Sequence, residues 1–388
     1  MGQPTHNPVS TKPRLVGLDL LRLLAIVFVL GRHTELPPES WPSFLRWLLV
    51  IWHRGGWVGV DLFFVLSGFL VSGLLFGEYK SKGRLGIGRF FIRRGWKIYP
   101  PFLVLIVATI LFNVSFGRSF SRGNVIAEFA FIQNYWFGLW GHTWSLAVEE
   151  HFYLLLPLAL FLILRWNRAS PNPLMPILAL AAFTAAAALA LRILNWQLRP
   201  PFEHRTHIFP THLRLDSLFF GVAISYCYHF HQDGFVKRLR PWRRRLIVGG
   251  ALLLAPAFVF PIESTPFVYT LGLTVFFVGS GMMLVGVLLS ELSLGRAGLA
   301  LATLGAFSYS IYLWHMPVKR WGAQVFERLS GTTAPYSVEL LAYLIGSLVV
   351  GVVMAKLVEA PALRLRDRLF PAPKSQDVQV EASSPKSP

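Results

Sequence analysis

Ten predominantly apolar runs recur along the chain, at roughly 15–33, 57–77, 98–116, 142–164, 174–195, 213–231, 246–260, 267–290, 301–320 and 338–358. Most approach the ~20 residues that an α-helix needs to cross the hydrocarbon core of a bilayer; 246–260 is short. The pattern predicts an all-α, polytopic integral membrane bundle of about ten transmembrane helices. Two stretches fit less simply. Residues 41–53 (WPSFLRWLLVIWH) read as an amphipathic surface helix with a tryptophan belt. Residues 125–140 are apolar but contain Gln133 and Asn134, which predicts an interfacial or re-entrant segment.

The pattern also divides the chain. Residues 1–14 form a short N-terminal segment, 15–360 the transmembrane domain, and 361–388 a tail, polar and expected to be disordered from about 371. The first run has no small-residue cleavage site and carries polar groups, so it reads as the first mature helix rather than a signal peptide.

Composition agrees with a membrane setting: only 14% of residues are charged, against roughly 25% in soluble domains. The net charge of +18 would suggest nucleic acid in a soluble protein. Here it is explained by topology. With the N-terminus inside, the inner segments hold 23 Lys and Arg and the outer loops 9. Basic residues accumulate on the cytoplasmic side, so this split predicts cytoplasmic N- and C-termini and removes the case for nucleic acid. The single cysteine, Cys227, excludes an intrachain disulfide, and no Cys/His spacing suggests a metal site.

Charged groups inside a span cost about 2.5–3.5 kcal/mol each on insertion scales, and those retained usually face the bundle interior. Arg22 and His33 stand 11 residues apart in the first run. Helical geometry puts them on one face to within about 20°, about 16 Å apart along the axis; Arg32 is expected to point elsewhere. The second run carries Asp61 and Ser67. The fourth carries Ser145, Glu149 and Tyr153 at i, i+4, i+8, with Glu150 on an adjacent face. The sixth has Arg214, Asp216 and Ser217, and the ninth Ser308, Tyr312 and His315. Each has a bland reading. A buried Asp, Ser or Tyr ties helices together, Glu149 and Glu150 neutralise Arg214, His33 is an interfacial anchor, and the basic 78–97 loop is a topology signal. With the N-terminus inside, however, His33, Asp61, Glu149, Arg214 and His315 come to similar depth toward the outer leaflet, which reads as a site. A proton-coupled transporter is the alternative from another class, weakened by the lack of a visible inverted repeat.

The pieces LDLLRLLAIVFVLGRH, GVDLFFVLSGFL, RRGWKIYP, HTWSLAVEEHFYLLLP, THLRLDSLFFG, GAFSYSIYLWHMP and VEAP occur in this order over nearly the whole chain. In them the sequence resembles membrane acyltransferase family 3, in its stand-alone form without a fused extracytoplasmic domain. The resemblance implies ten helices in a bacterial inner membrane. It implies transfer of an acetyl or other short acyl group from cytoplasmic acyl-coenzyme A, with no permanently bound cofactor, to a hydroxyl of an envelope glycan or lipid-linked sugar. It implies His33 as the catalytic histidine, Arg22 as its partner, and Arg93, Arg94 and Lys97 as ligands of the donor phosphates, Lys97 standing where an Arg is common; Arg22 is expected to contact the donor as well. Glu149 is expected to orient His33, with Asp61, Ser67, Glu150, Arg214, Asp216, Ser308, Tyr312 and His315 in support.

Overall fold

The computed structural model describes residues 16–371. The segment 1–14 and the tail expected to be disordered beyond 371 lie outside the described residues. Every apolar run is helical, and no strand occurs among the described residues. In chain order the helices are α1 (Val16–Arg32), α2 (Ser43–Gly55), α3 (Gly59–Lys82), α4 (Ile87–Ser115), α5 (Arg122–Phe129), α6 (Trp144–Trp166), α7 (Pro176–Leu198) and α8 (His204–His207). They continue with α9 (Leu215–Phe230), α10 (Gln232–Leu239), α11 (Arg243–Val259), α12 (Leu273–Leu288), α13 (Arg296–Ala306), α14 (Ser308–Ser330), α15 (Tyr336–Met354) and α16 (Ala360–Leu369).

Six helical stretches are long and apolar enough to cross a membrane, or seven if a bent pair is one span. That pair is α13 and α14, which meet at 69°. The run 301–320, expected as one helix, is therefore two. The break follows from packing: α13 lies so close to α1 that a Cβ on Gly305 would fall 1.8 Å from the Asp19 carbonyl oxygen. Beyond this contact the chain turns, and α14 continues against α15, α1 and α4.

α3 is central, packed against α9, α1 and α12. Its contact with α9 is a backbone approach. A Cβ on Gly68 would meet the Leu218 carbonyl at 2.0 Å, and one on Gly221 the Val65 carbonyl at 2.2 Å. Small residues allow such close crossing, which gains van der Waals contact where lipid offers no hydrophobic drive between helices. The outer helices reverse the soluble pattern: α7 and α15 turn Phe183, Leu341 and Ile345 outward, each more than half exposed. Exposed apolar surface on this scale fits a lipid boundary.

The two irregular stretches differ, one lying on the surface and one folding inward. α2 is helical as expected, with Phe44, Leu45, Trp47 and Leu48 exposed. The 125–140 stretch is α5 followed by a turn that folds inward. There Gln133 Nε2 donates to the Thr143 carbonyl at 3.1 Å and Asn134 Nδ2 to Thr211 Oγ1 at 2.8 Å. Glu128 closes the turn, accepting from the Leu139 and Trp140 amides at 2.9 and 3.1 Å and from Thr143 Oγ1 at 3.0 Å. Burial raises the Glu128 carboxyl to about 7 despite these donors. The loop they hold leads into α6 and fixes where its first turn begins.

Candidate functional site

The polar groups gather around two cavities. The first, about 130 Å³, lies between α1, α3, α4, α6 and α14. Arg22, Arg94, Lys97, Glu149, Glu150 and Tyr153 face it, with Ser67, Ser145 and Ser308. The second, about 330 Å³, is faced by Arg32, His33, His142, His204, Arg214 and Arg320. Val60 and Tyr312 line both. The arginine cavity and the histidine chamber are thus separated by one shared layer of side chains.

In the arginine cavity, helical spacing works as the sequence suggests. Ser145, Glu149 and Tyr153 share the cavity face of α6, and Glu150 also reaches it. Tyr153 donates to Glu149 Oε2 at 2.6 Å and meets Ser67 Oγ at 2.8 Å. The Arg94 guanidinium lies 5.2 Å from the Tyr153 ring centroid. Tyr99 donates to Glu150 at 3.0 Å. Arg22 bonds Asp19 one turn earlier at 2.8 Å. Lys97 is 2.6 Å from Glu359, which also accepts from Ser310 at 2.7 Å. Of the four residues expected to contact the donor, Arg22, Arg94 and Lys97 line this cavity and Arg93 does not. Lys97 is partly compensated by Glu359, which lies in the VEAP piece and was not foreseen as its partner.

The histidine chamber holds His33 at the end of α1. Its Nδ1 is 2.9 Å from the Val29 carbonyl, which can only accept. Nδ1 therefore carries the proton, and Nε2 keeps a free lone pair. His315 stands behind it, with Nε2 3.3 Å from His33 Nδ1 and its own Nδ1 2.6 Å from the Tyr312 carbonyl. His142 completes a row, its ring 4.8 Å from that of His315 and its Nε2 3.2 Å from the Leu313 carbonyl. Tyr312 connects this wall to the other cavity, with its hydroxyl 2.6 Å from Ser145 Oγ and 2.5 Å from the His142 carbonyl.

The structure thus divides what the sequence placed at one depth. His33 and Arg22 share a helix face but open into different cavities, as their axial separation requires. Glu149 belongs to the arginine cavity and bonds Tyr153, so the expectation that it orients His33 is corrected: His315 is the side chain against the His33 ring. Arg214 is neutralised by Asp61 at 2.7 Å, both 1% exposed, and not by the α6 carboxylates. Asp216 pairs with Arg192 in α7, both fully buried, and Arg192 also donates to the Leu213 carbonyl. Arg32 does not point away from the site. It lines the histidine chamber and reaches Glu263 at 2.6 Å. In the loop between α11 and α12, burial pulls the Glu263 carboxyl up, but the Arg32 hydrogen bond and charge hold it below its ordinary value. Burial, and then the Arg32 charge, lower His204 beside it.

Arg192, His142, Glu359 and His204 were not singled out from the sequence. For Arg192 a signal existed: it is a lone charge in an Ala- and Leu-rich run. His142 sits at the start of the HTWSL piece, but nothing in its spacing marks it as the neighbour of a residue in α14.

Comparison with known proteins bears on this geometry. The chain matches peptidoglycan O-acetyltransferase OatA of Listeria monocytogenes at 29% identity, over 78% of this chain and 49% of that protein. It matches the putative peptidoglycan O-acetyltransferase YrhL of Bacillus subtilis at 26%, over 78% and 48%. It matches O-acetyltransferase OatA of Staphylococcus aureus at 26%, over 78% and 50%. The chain spans about half the length of these relatives. No solved structure matches. The sequence profile of the family described as an acyltransferase domain matches residues 15–356, so this chain, with both cavities inside the matched region, belongs to the acyltransferase-domain family.

Proposed function

We propose that this protein is a multi-pass bacterial inner-membrane O-acyltransferase of about ten spans, with cytoplasmic termini. It moves an acetyl or other short acyl group from cytoplasmic acyl-coenzyme A to a hydroxyl of an envelope carbohydrate. The observation that carries the reading is the shared wall: a cavity with three cations adjoins a chamber whose histidine presents a free nitrogen lone pair, with Val60 and Tyr312 in both. The named relatives, two of them peptidoglycan O-acetyltransferases by name, support the envelope glycan as acceptor.

On this reading Arg22, Arg94 and Lys97 hold the donor's phosphates, Arg through bidentate hydrogen bonds and Lys as a point charge. The acyl arm passes Tyr312 toward His33. The acceptor hydroxyl gives its proton to His33 Nε2 as its oxygen bonds the thioester carbonyl carbon. The carbon–sulfur bond then breaks, and the leaving thiolate takes the proton back from His33 Nε2, which restores the free base. The Val29 carbonyl and His315 hold the imidazole in the tautomer that can accept. A thioester is reactive enough that positioning and one base suffice. The test is purified protein in lipid nanodiscs, supplied with radiolabelled acetyl-coenzyme A and a soluble glycan acceptor. Label should appear on the glycan as free coenzyme A thiol is released. No thiol release above a protein-free control would overturn the donor assignment. Release without labelled glycan would overturn the acceptor.

A further inference from the structure

The histidine chamber is lined by cationic and imidazole side chains, with no carboxylate among them. The carboxylates that pair with two of its cations are placed differently: Asp61 is fully buried, whereas Glu263 is about half exposed and stands 3.7 Å from His204. Asp61 holds Arg214 at 2.7 Å and Glu263 holds Arg32 at 2.6 Å, and neither acid lines the chamber. In the Asp61–Arg214 pair the cation lines the chamber and the acid is buried away from it. Arg320 goes further, lying over the Trp140 ring at 5.6 Å with no ion pair among the described residues. Arg214, 1% exposed, keeps Nε and Nη1 buried without a hydrogen-bond partner. Guanidinium N–H groups left without an acceptor are costly, and beside a cavity they suit a ligand that brings acceptors. His142 adds a complementary group: with Nε2 bonded to the Leu313 carbonyl, its buried Nδ1 is an unpartnered acceptor. The arginine cavity differs, since Glu149 and Glu150 line it beside the cations.

We propose that the chamber binds its acceptor through an anionic group, a carboxylate or phosphate borne by the sugar. Arg320 meets the charge, Arg214 donates from the wall, and His142 Nδ1 accepts from a neighbouring hydroxyl. This deepens the transferase reading, on which it rests for treating the chamber as the acceptor side. A neutral sugar would supply the hydroxyl but leave the inward-facing positive field unanswered.

The test is calorimetric binding to the full chain in lipid nanodiscs, with three forms of one β-1,4-linked N-acetylhexosamine oligomer. One carries a lactyl-ether carboxylate, one the corresponding carboxamide, and one a phosphate at the same position. The carboxylate or the phosphate form should bind at least about 10-fold more tightly than the carboxamide, the scale of one charge-assisted contact; whichever form does so identifies the anion. Arg320→Gln, a change at an exposed side chain, should abolish most of the preference, while Arg320→Lys keeps it. Equal affinities for all three forms, no binding of any, or an undiminished preference in Arg320→Gln would overturn the proposal. The transferase reading fails separately: a charge preference with no acyl transfer to any form would leave the anion site standing and remove the reaction.

Discussion

At His33 a single hydrogen bond selects the nitrogen that can react. The Val29 carbonyl accepts a hydrogen bond from Nδ1–H, His315 closes on the same edge, and Nε2 is left for the chamber. Arg22 and His33 occupy one helix face, yet they open into different cavities, so they would meet different parts of a substrate that spans both. We expect His33→Gln to insert and fold normally and to lower acyl transfer by about 10²–10⁴-fold, the usual loss when a general base is removed. A glutamine amide accepts no proton near neutral pH. The matched control is Arg46→Gln, because Arg46 lies exposed on α2 and pairs loosely with exposed Glu39 at 3.7 Å. Arg32 cannot serve, since it lines the chamber and bonds Glu263. Steady-state transfer rates on membranes with matched protein content decide the matter, and retention of more than about a tenth of the activity would remove His33 from the chemistry.

Among the elements, α4 has the most specific consequence. One helical turn carries Arg93, Arg94 and Lys97 in a single basic cluster, but rotation about the helix axis sends only Arg94 and Lys97 to the cavity. Charge counting treats the three alike. Packing separates them, and Glu359 at the foot of α15 further separates Lys97 from Arg94. Arg94→Gln should therefore weaken acyl-coenzyme A binding and reduce its salt dependence, because fewer charge contacts remain to be screened over ~8–10 Å. Arg93→Gln should leave donor affinity within about two-fold, the scale of a screened surface charge. Donor titrations at two salt concentrations check both. Equal losses in the two variants would mean that the phosphates lie along the helix surface instead of in the cavity.

For the whole molecule, the distribution of basic residues makes the strongest claim. The loop after α3 and the segment about α10 are densely basic, and the termini fall on the same side in the positive-inside reading. On the proposed topology the arginine cavity would open toward the donor compartment and the histidine chamber toward the acceptor. Reporter fusions within 78–97 and at the C-terminal end should both report cytoplasm. An extracytoplasmic signal from either would invert the direction of transfer and with it the assignment of the two cavities.

The sequence alone determines that this chain is helical and membrane-bound, because run length and the scarcity of charge act locally and need no partner. It also determines which residues are anomalous, since a charge inside an apolar run is conspicuous wherever it lies. Spacing along one helix was legible too: Ser145, Glu149 and Tyr153 do share a face. Only the tertiary structure decided the pairings. Asp61 with Arg214, Arg192 with Asp216, Lys97 with Glu359 and the histidine row all join residues far apart in the chain, through helix rotations and crossings that no single-helix period contains. The bend between α13 and α14 is of the same kind, lying just after the close approach of Gly305 to α1. Depth can be counted along a chain, but azimuth between helices is set by how their surfaces fit. That is why residues of one expected cluster fall into two cavities.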